Sequence, residues 1–221
     1  MFHDLRFAIR MLLKNPGFTT VAVLSLALGI GANTAIFQLL NAVRLKTLPI
    51  KNVHQLTQIR LTDISGTRGS KSARYPAVTN PIWEQIRDRQ QAFSGLVAWG
   101  SAGFNLAQGG EVRPAKGLWV SGDFFNVLGV QPELGRMFTT ADDQRGCSAP
   151  GVVISHSFWQ REYGGDKSVV GRKLTLADHQ FEVVGITPPN FFGLEVGKSF
   201  DVALPICADA IISGKSLGAT G

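Results

Sequence analysis

The sequence predicts an α+β domain carried behind one membrane-crossing helix, on three observations. Asn15 to Val43 is a run of 29 residues without a charge, and no run of that length recurs between residues 44 and 221. The remainder breaks into short alternating or apolar segments punctuated by Gly, Pro, Asn and Ser, the pattern of strands interleaved with short helices. Twenty-five glycines and a charged fraction of only 17% suit a turn-rich domain next to a membrane.

The expected organisation is an interfacial segment (residues 1–17), a membrane helix (18–43) and an extracytoplasmic domain (44–221). In the first, Phe2, Leu5, Phe7, Ile9, Leu12 and Leu13 interleave with Arg6, Arg10 and Lys14. This reads as an amphipathic helix on the cytoplasmic membrane face, ending at Asn15-Pro16-Gly17. From Phe18 to Val43 the chain makes roughly 39 Å of helix at 1.5 Å per residue, enough for a hydrocarbon core of about 30 Å. A cleaved signal has a shorter apolar core, and here the run resumes after Gly29, Gly31 and Ala32, so the helix reads as an uncleaved anchor. Arg44, Lys46 and Lys51 nearly balance the basic residues before the helix, and the long following segment translocates regardless of charge, which favours a cytoplasmic N-terminus. Ala27, Gly31 and Ala35 repeat at i, i+4. Ser25, Gly29 and Asn33 repeat likewise and read as an adjacent row. Such small-residue rows admit a second helix at close range, with Asn33 placed to hydrogen-bond across.

In the domain, alternation at Leu56–Leu61 predicts a strand, and Thr62–Lys71 an exposed loop. Thr79-Asn80-Pro81 opens a helix running to Gln91. Leu96–Leu106 and Val112–Val120 form a hairpin turned at Gln108-Gly109-Gly110. Ser121 or Asp123 caps a short helix over Phe124, Phe125 and Leu128, stopped by Gly129. Val152–Ser155 is a buried strand, and Phe158–Tyr163 a helix ended by Gly164-Gly165. Strands are expected at Arg172–Leu176, Gln180–Ile186 and Val202–Leu204.

Chemical motifs are sparse. Residues from 44 onward hold 19 basic and 15 acidic side chains without a Lys/Arg run, which argues against nucleic-acid binding and leaves contact with anionic headgroups. Ser155-His156-Ser157 sets serine beside histidine, but a triad is assembled in space, and His156 reads as a helix-start residue. Asp142-Asp143 reads as a solvated turn because the alternating carboxylates of a calcium loop are missing. Gly29-x-Gly31 lacks dinucleotide-binding context, and no P-loop motif occurs, so ATP-driven work needs another polypeptide. Trp83, Trp99, Trp119 and Trp159 read as core or partner contacts. Cys147 and Cys207 read as two unpaired small residues, a disulfide staying open until their separation is known. No enzyme activity, cofactor or metal site is expected.

Two groups of strings, one at the N-terminus and one in the domain, carry a family resemblance. Asp4-Leu5-Arg6-Phe7-Ala8, Lys14-Asn15-Pro16-Gly17-Phe18-Thr19 and Ala27-Leu28-Gly29-Ile30-Gly31-Ala32-Asn33-Thr34-Ala35-Ile36-Phe37 resemble the start of bacterial ABC-transporter permeases of the MacB/FtsX-like family. Val120-Ser121-Gly122-Asp123-Phe124-Phe125, Leu134-Gly135-Arg136, Ile154-Ser155, Phe158-Trp159, Val170-Gly171-Arg172 and Val183-Val184-Gly185-Ile186 resemble its MacB-like periplasmic core domain. The resemblance implies an inner-membrane subunit with a cytoplasmic N-terminus and residues 44–221 periplasmic. It implies an ABC ATPase subunit and a second permease copy as partners, alongside membrane lipid and a periplasmic adaptor or substrate, in efflux or mechanotransmission. Leu48-Pro49-Ile50-Lys51 departs from the family's Leu-Pro-aromatic-Pro turn. The chain ends at Gly221, where the family's domain returns to the membrane, so a C-terminally truncated permease is expected. The competing reading is a single-span anchored module that binds a periplasmic partner without transport.

Overall fold

The computed structural model describes residues 2–44, 50, 53–59, 78–107, 109–147 and 150–214. Two compact units result, Met1–Thr47 and Leu48–Gly221.

The first unit holds helix α1 (Phe2–Lys14) and helix α2 (Pro16–Arg44). Asn15 alone separates them. Pro16 has no N–H to extend the ladder of α1, but its fixed φ suits the first turn of α2. The large apolar side chains of α2 described between Phe18 and Phe37 are exposed, Phe18 at 74% and Leu28 at 73%. A helix this apolar needs a non-aqueous surrounding.

The second unit is a mixed sheet flanked by short helices. Its described elements are α3 (Asn80–Arg89), β1 (Trp99–Asn105), β2 (Pro114–Val120), α4 (Phe124–Val127), β3 (Leu134–Gly135), β4 (Gly151–Ile154), α5 (His156–Tyr163), β5 (Lys173–Leu176), β6 (His179–Ile186), β7 (Val202–Pro205) and α6 (Asp209–Ser213). The strand order is β1-β2-β7-β4-β6-β3, with β5 also on β6. β2 runs parallel to β7 and β4 parallel to β6, while the other pairs are antiparallel. Successive residues of a strand face opposite sides, and each side has its own core. Val152, Ile154, Val202 and Leu204 join Phe158 and Trp159 of α5 on one side. Val153, Ala203, Leu118 and Val120 join Phe124, Phe125 and Leu128 on the other. The α+β class is thus as expected, with α4 and α5 closing opposite faces.

The hairpin, α3, α4, α5 and the four later strands form where their local signals stand. Asn105 accepts from Ala107 N at 3.0 Å and Arg113 N at 2.9 Å through Oδ1, and Gly109 and Gly110 take positive φ. Ser155 Oγ caps α5 by accepting from Phe158 N at 3.2 Å, and Gly164 ends it in the left-handed region. Asp123, not Ser121, stands at the cap of α4, without a side-chain cap bond. The Ser121 hydroxyl oxygen instead accepts from Ala98 N at 3.0 Å.

Three expectations change. Leu56–Ile59 forms no strand, and Val53–Gln55 is a 3-10 turn; alternation alone makes no ladder without a paired neighbour. The rest of that segment, the expected loop at 62–71 and the Leu48-Pro49 turn lie outside the described residues. Cys147 and Cys207 are disulfide-bonded, their Cα atoms 5.9 Å apart. A short edge strand, β3, pairs with β6 where no strand signal exists.

Candidate helix-packing site

The five residues predicted to pack helices, Ala27, Gly29, Gly31, Asn33 and Ala35, all lie in α2 and are exposed. Nothing lies within 4 Å of where a Cβ would stand on Gly29 or Gly31. Both glycines therefore offer bare backbone to a neighbour. Two threonine hydroxyls of this helix are satisfied within it: Thr20 donates to Pro16 O at 2.7 Å and Thr34 to Ile30 O at 2.8 Å. The Asn33 amide is the polar group left facing outward among the predicted residues. One expectation is corrected by the geometry of a continuous helix. Gly29 and Gly31 are two residues apart, hence about 200° around an axis of 3.6 residues per turn. The Ala27/Gly31/Ala35 and Ser25/Gly29/Asn33 rows lie on nearly opposite sides rather than side by side, so one helix packed along α2 could not cover both.

In the second unit, the sequence's chemical candidates are committed to structure. Ser155 is buried, and its hydroxyl lies 3.1 Å from Ser157 Oγ besides capping α5. His156 Nδ1 lies 2.6 Å from Glu133 Oε2, and its ring packs edge-on against Trp159. Serine and histidine are not joined as nucleophile and base. Trp83 and Trp159 are buried, and Trp159 Nε1 donates to Asp166 O at 2.9 Å. Trp119 meets Phe104 edge to face at 5.3 Å, and Trp99 packs on the α4 side. All four tryptophans thus act in packing.

Asp142-Asp143 departs from the expected solvated turn. Asp142 receives Arg136 Nη1 and Nη2 at 2.8 and 2.7 Å and the Thr139 N–H at 2.8 Å. The Arg136 hydrogen bonds hold its carboxyl below the ordinary carboxylate value. Asp143 is half-buried and accepts from Cys207 N at 2.8 Å and Gly122 N at 3.1 Å. Burial pushes its pKa up despite those donors. No local signal marks Asp143 as a tether, because its partners lie 64 and 21 residues away. The crevice beside it, among Trp83, Glu84, Arg145 and Cys207, is about 10 Å³, water-sized and far below a ligand pocket.

Comparisons with known proteins place this geometry. No curated protein matches the chain. Among solved structures, the extracellular domain of the noncanonic ABC-type transporter YknZ from Gram-positive bacteria is similar at 15% identity and a TM-score of 0.48, covering 63% of this chain and 68% of that one. The periplasmic region of MacB from Actinobacillus actinomycetemcomitans is similar at 17% identity and a TM-score of 0.46, covering 65% of this chain and 64% of that one. The assignment rests on the family match instead, which runs unbroken through the apolar helix and the mixed sheet, residues 19–217: the chain belongs to the family of the MacB-like periplasmic core domain.

Proposed function

We propose that this chain acts as part of an ABC-transporter permease. Residues 1–17 lie at the cytoplasmic face, 18–43 cross the inner membrane, and 44–221 form the periplasmic domain. The single observation that carries this reading is the extent of the family match, which takes helix and domain together as one unit. ATP hydrolysis by a partner ATPase then moves the membrane helices, and the periplasmic domain passes that motion on, in efflux or mechanotransmission. The domain takes no catalytic part in this reading, consistent with the engagement of Ser155 as a cap and His156 with Glu133.

In this reading α2 packs against a further permease helix or a second permease copy. On the Ala27/Gly31/Ala35 face, a leucine in place of the central glycine blocks close backbone approach. The test is capture of a tagged chain from membranes that co-express a full-length permease and its ATPase. Gly31→Leu is expected to lose most of the captured partner, while Leu28→Ile, a volume-conserving change at an exposed position of the same helix, keeps it. Equal capture by wild type and Gly31→Leu would count against the packing role. Clean membrane insertion with no ATPase or permease captured would favour an anchored binding module.

A further inference from the structure

We infer that α1 recognises anionic phospholipid: Arg6, Arg10 and Lys14 seat on headgroup phosphates of the leaflet where α2 enters the bilayer. The inference rests on the proposal that α2 crosses a membrane.

Arg6, Arg10 and Lys14 recur every fourth residue, so they form one row along α1. Asp4 is the helix's sole acid. Apolar side chains border the row on both flanks. Phe7 and Met11 stand on one side, and Leu13 on the other. Phe7 is 68% exposed and Leu13 76%. A cationic row between two exposed apolar strips is poorly suited to water. It suits the headgroup region, where stems and apolar flanks reach the acyl boundary while the charges stay level with phosphate.

The joint with α2 fixes the depth of this helix. Leu12 O accepts from Asn15 N at 3.3 Å and from Thr19 Oγ1 at 2.7 Å. Asn15 O accepts from Thr19 N at 3.1 Å. The first turn of α2 thus satisfies a carbonyl at the end of α1, and one residue of connector leaves no slack. A helix tied this closely to the end of a bilayer-crossing helix sits among headgroups. Charge complementarity then selects the occupant: three cations and one acid favour an anionic leaflet over a zwitterionic one.

Each cation near an anionic surface shifts the docked-to-undocked ratio about five-fold, so the row is worth roughly a hundred-fold. The experiment uses the full, oxidised chain in vesicles of phosphatidylcholine alone or mixed with phosphatidylglycerol. An environment-sensitive dye is placed on Leu13→Cys, and separately on Leu28→Cys in α2. Cys147 and Cys207 are bonded to each other, so the new thiol alone reacts. The Leu13 dye is expected to be buried in phosphatidylglycerol vesicles at about 0.1 M salt and released at roughly 0.5 M, where screening shortens the reach of charge. Arg6→Gln/Arg10→Gln/Lys14→Gln is expected to abolish the lipid dependence. The Leu28 dye is expected to stay buried throughout. A Leu13 signal equal in the two vesicle types, or unmoved by salt and by the triple variant, overturns the inference while a buried Leu28 dye leaves the membrane helix standing. A solvent-exposed Leu28 dye in both vesicle types overturns the membrane helix and this inference with it.

Discussion

Asp142 and Asp143 adjoin in the chain, yet their carboxylates meet opposite surroundings. Asp142 is gripped by the Arg136 guanidinium and titrates below its ordinary value. Its stabilising share is therefore complete above the ordinary carboxylate value and is lost as pH falls through the lowered one. Asp143 is raised, because burial outweighs the donations from Cys207 N and Gly122 N. Its share is complete below the ordinary value and is lost as pH climbs through the raised one. Glu84, lowered by its hydrogen bonds from Arg145, and Asp166, lowered first by the Ser168 N–H, add to the acid-side loss. Thermal unfolding of the full chain between about pH 3 and about pH 7 separates the two signs. Asp142→Asn is expected to flatten part of the acid limb. Asp143→Asn is expected to leave the acid limb and remove a decline just above the ordinary carboxylate range. Profiles for both variants that run parallel to wild type would show that neither carboxylate is linked to folding as described.

The elements legible in the sequence are those whose signals are local. Ser155 and Gly164 bracket α5, Pro81 opens α3, and the glycines at 109 and 110 turn the β1–β2 hairpin. Alternation misleads at Leu56–Ile59, because periodicity reports which face is apolar and not whether a neighbouring strand exists. For the candidate packing residues, only their spacing along the helix is legible. The i, i+4 spacing of Ala27/Gly31/Ala35 survives in α2, but the relation between its two rows depends on helical angle, which a linear reading flattens. β3 was invisible because its two residues have no pattern of their own. It exists through backbone proximity: Arg136 N donates to Val184 O at 2.9 Å, and Glu133 N to Ile186 O at 2.9 Å. Gly135 takes a φ of +73°, and a methyl on Gly185 would overlap the Arg136 carbonyl. Gly185→Ala is thus expected to cost about 3 kcal/mol, since the obstacle is backbone and cannot rotate away. Gly100→Ala, in β1 with open space at its Cβ position, is the matched control. Equal melting temperatures for the two variants would mean that β3 leaves β6 without penalty.

At the scale of the whole domain, one covalent link spans the sheet's later half. Cys147 and Cys207 are 60 residues apart, and β4, β5, β6 and β7 all lie between them. Closing a loop of that length removes about 4 kcal/mol of denatured-chain entropy in the chain-entropy account. Such a bond persists in an oxidising compartment, which agrees with the periplasmic placement proposed for this domain. The link also stands beside a second, non-covalent one, since the Cys207 N–H donates to Asp143. That backbone donation survives replacement of the cysteine side chain, so mutation isolates the bond. Reduction, Cys147→Ala or Cys207→Ala are each expected to lower the melting temperature by about 10 °C for a domain of this size. The decisive comparison is the double variant. Either single change already loses the whole bond, so the double variant should melt little below the singles, a large departure from additivity. Small, additive losses would mean instead that the two cysteines serve the fold only as small side chains, and that packing alone holds the ends of the β4–β7 block together.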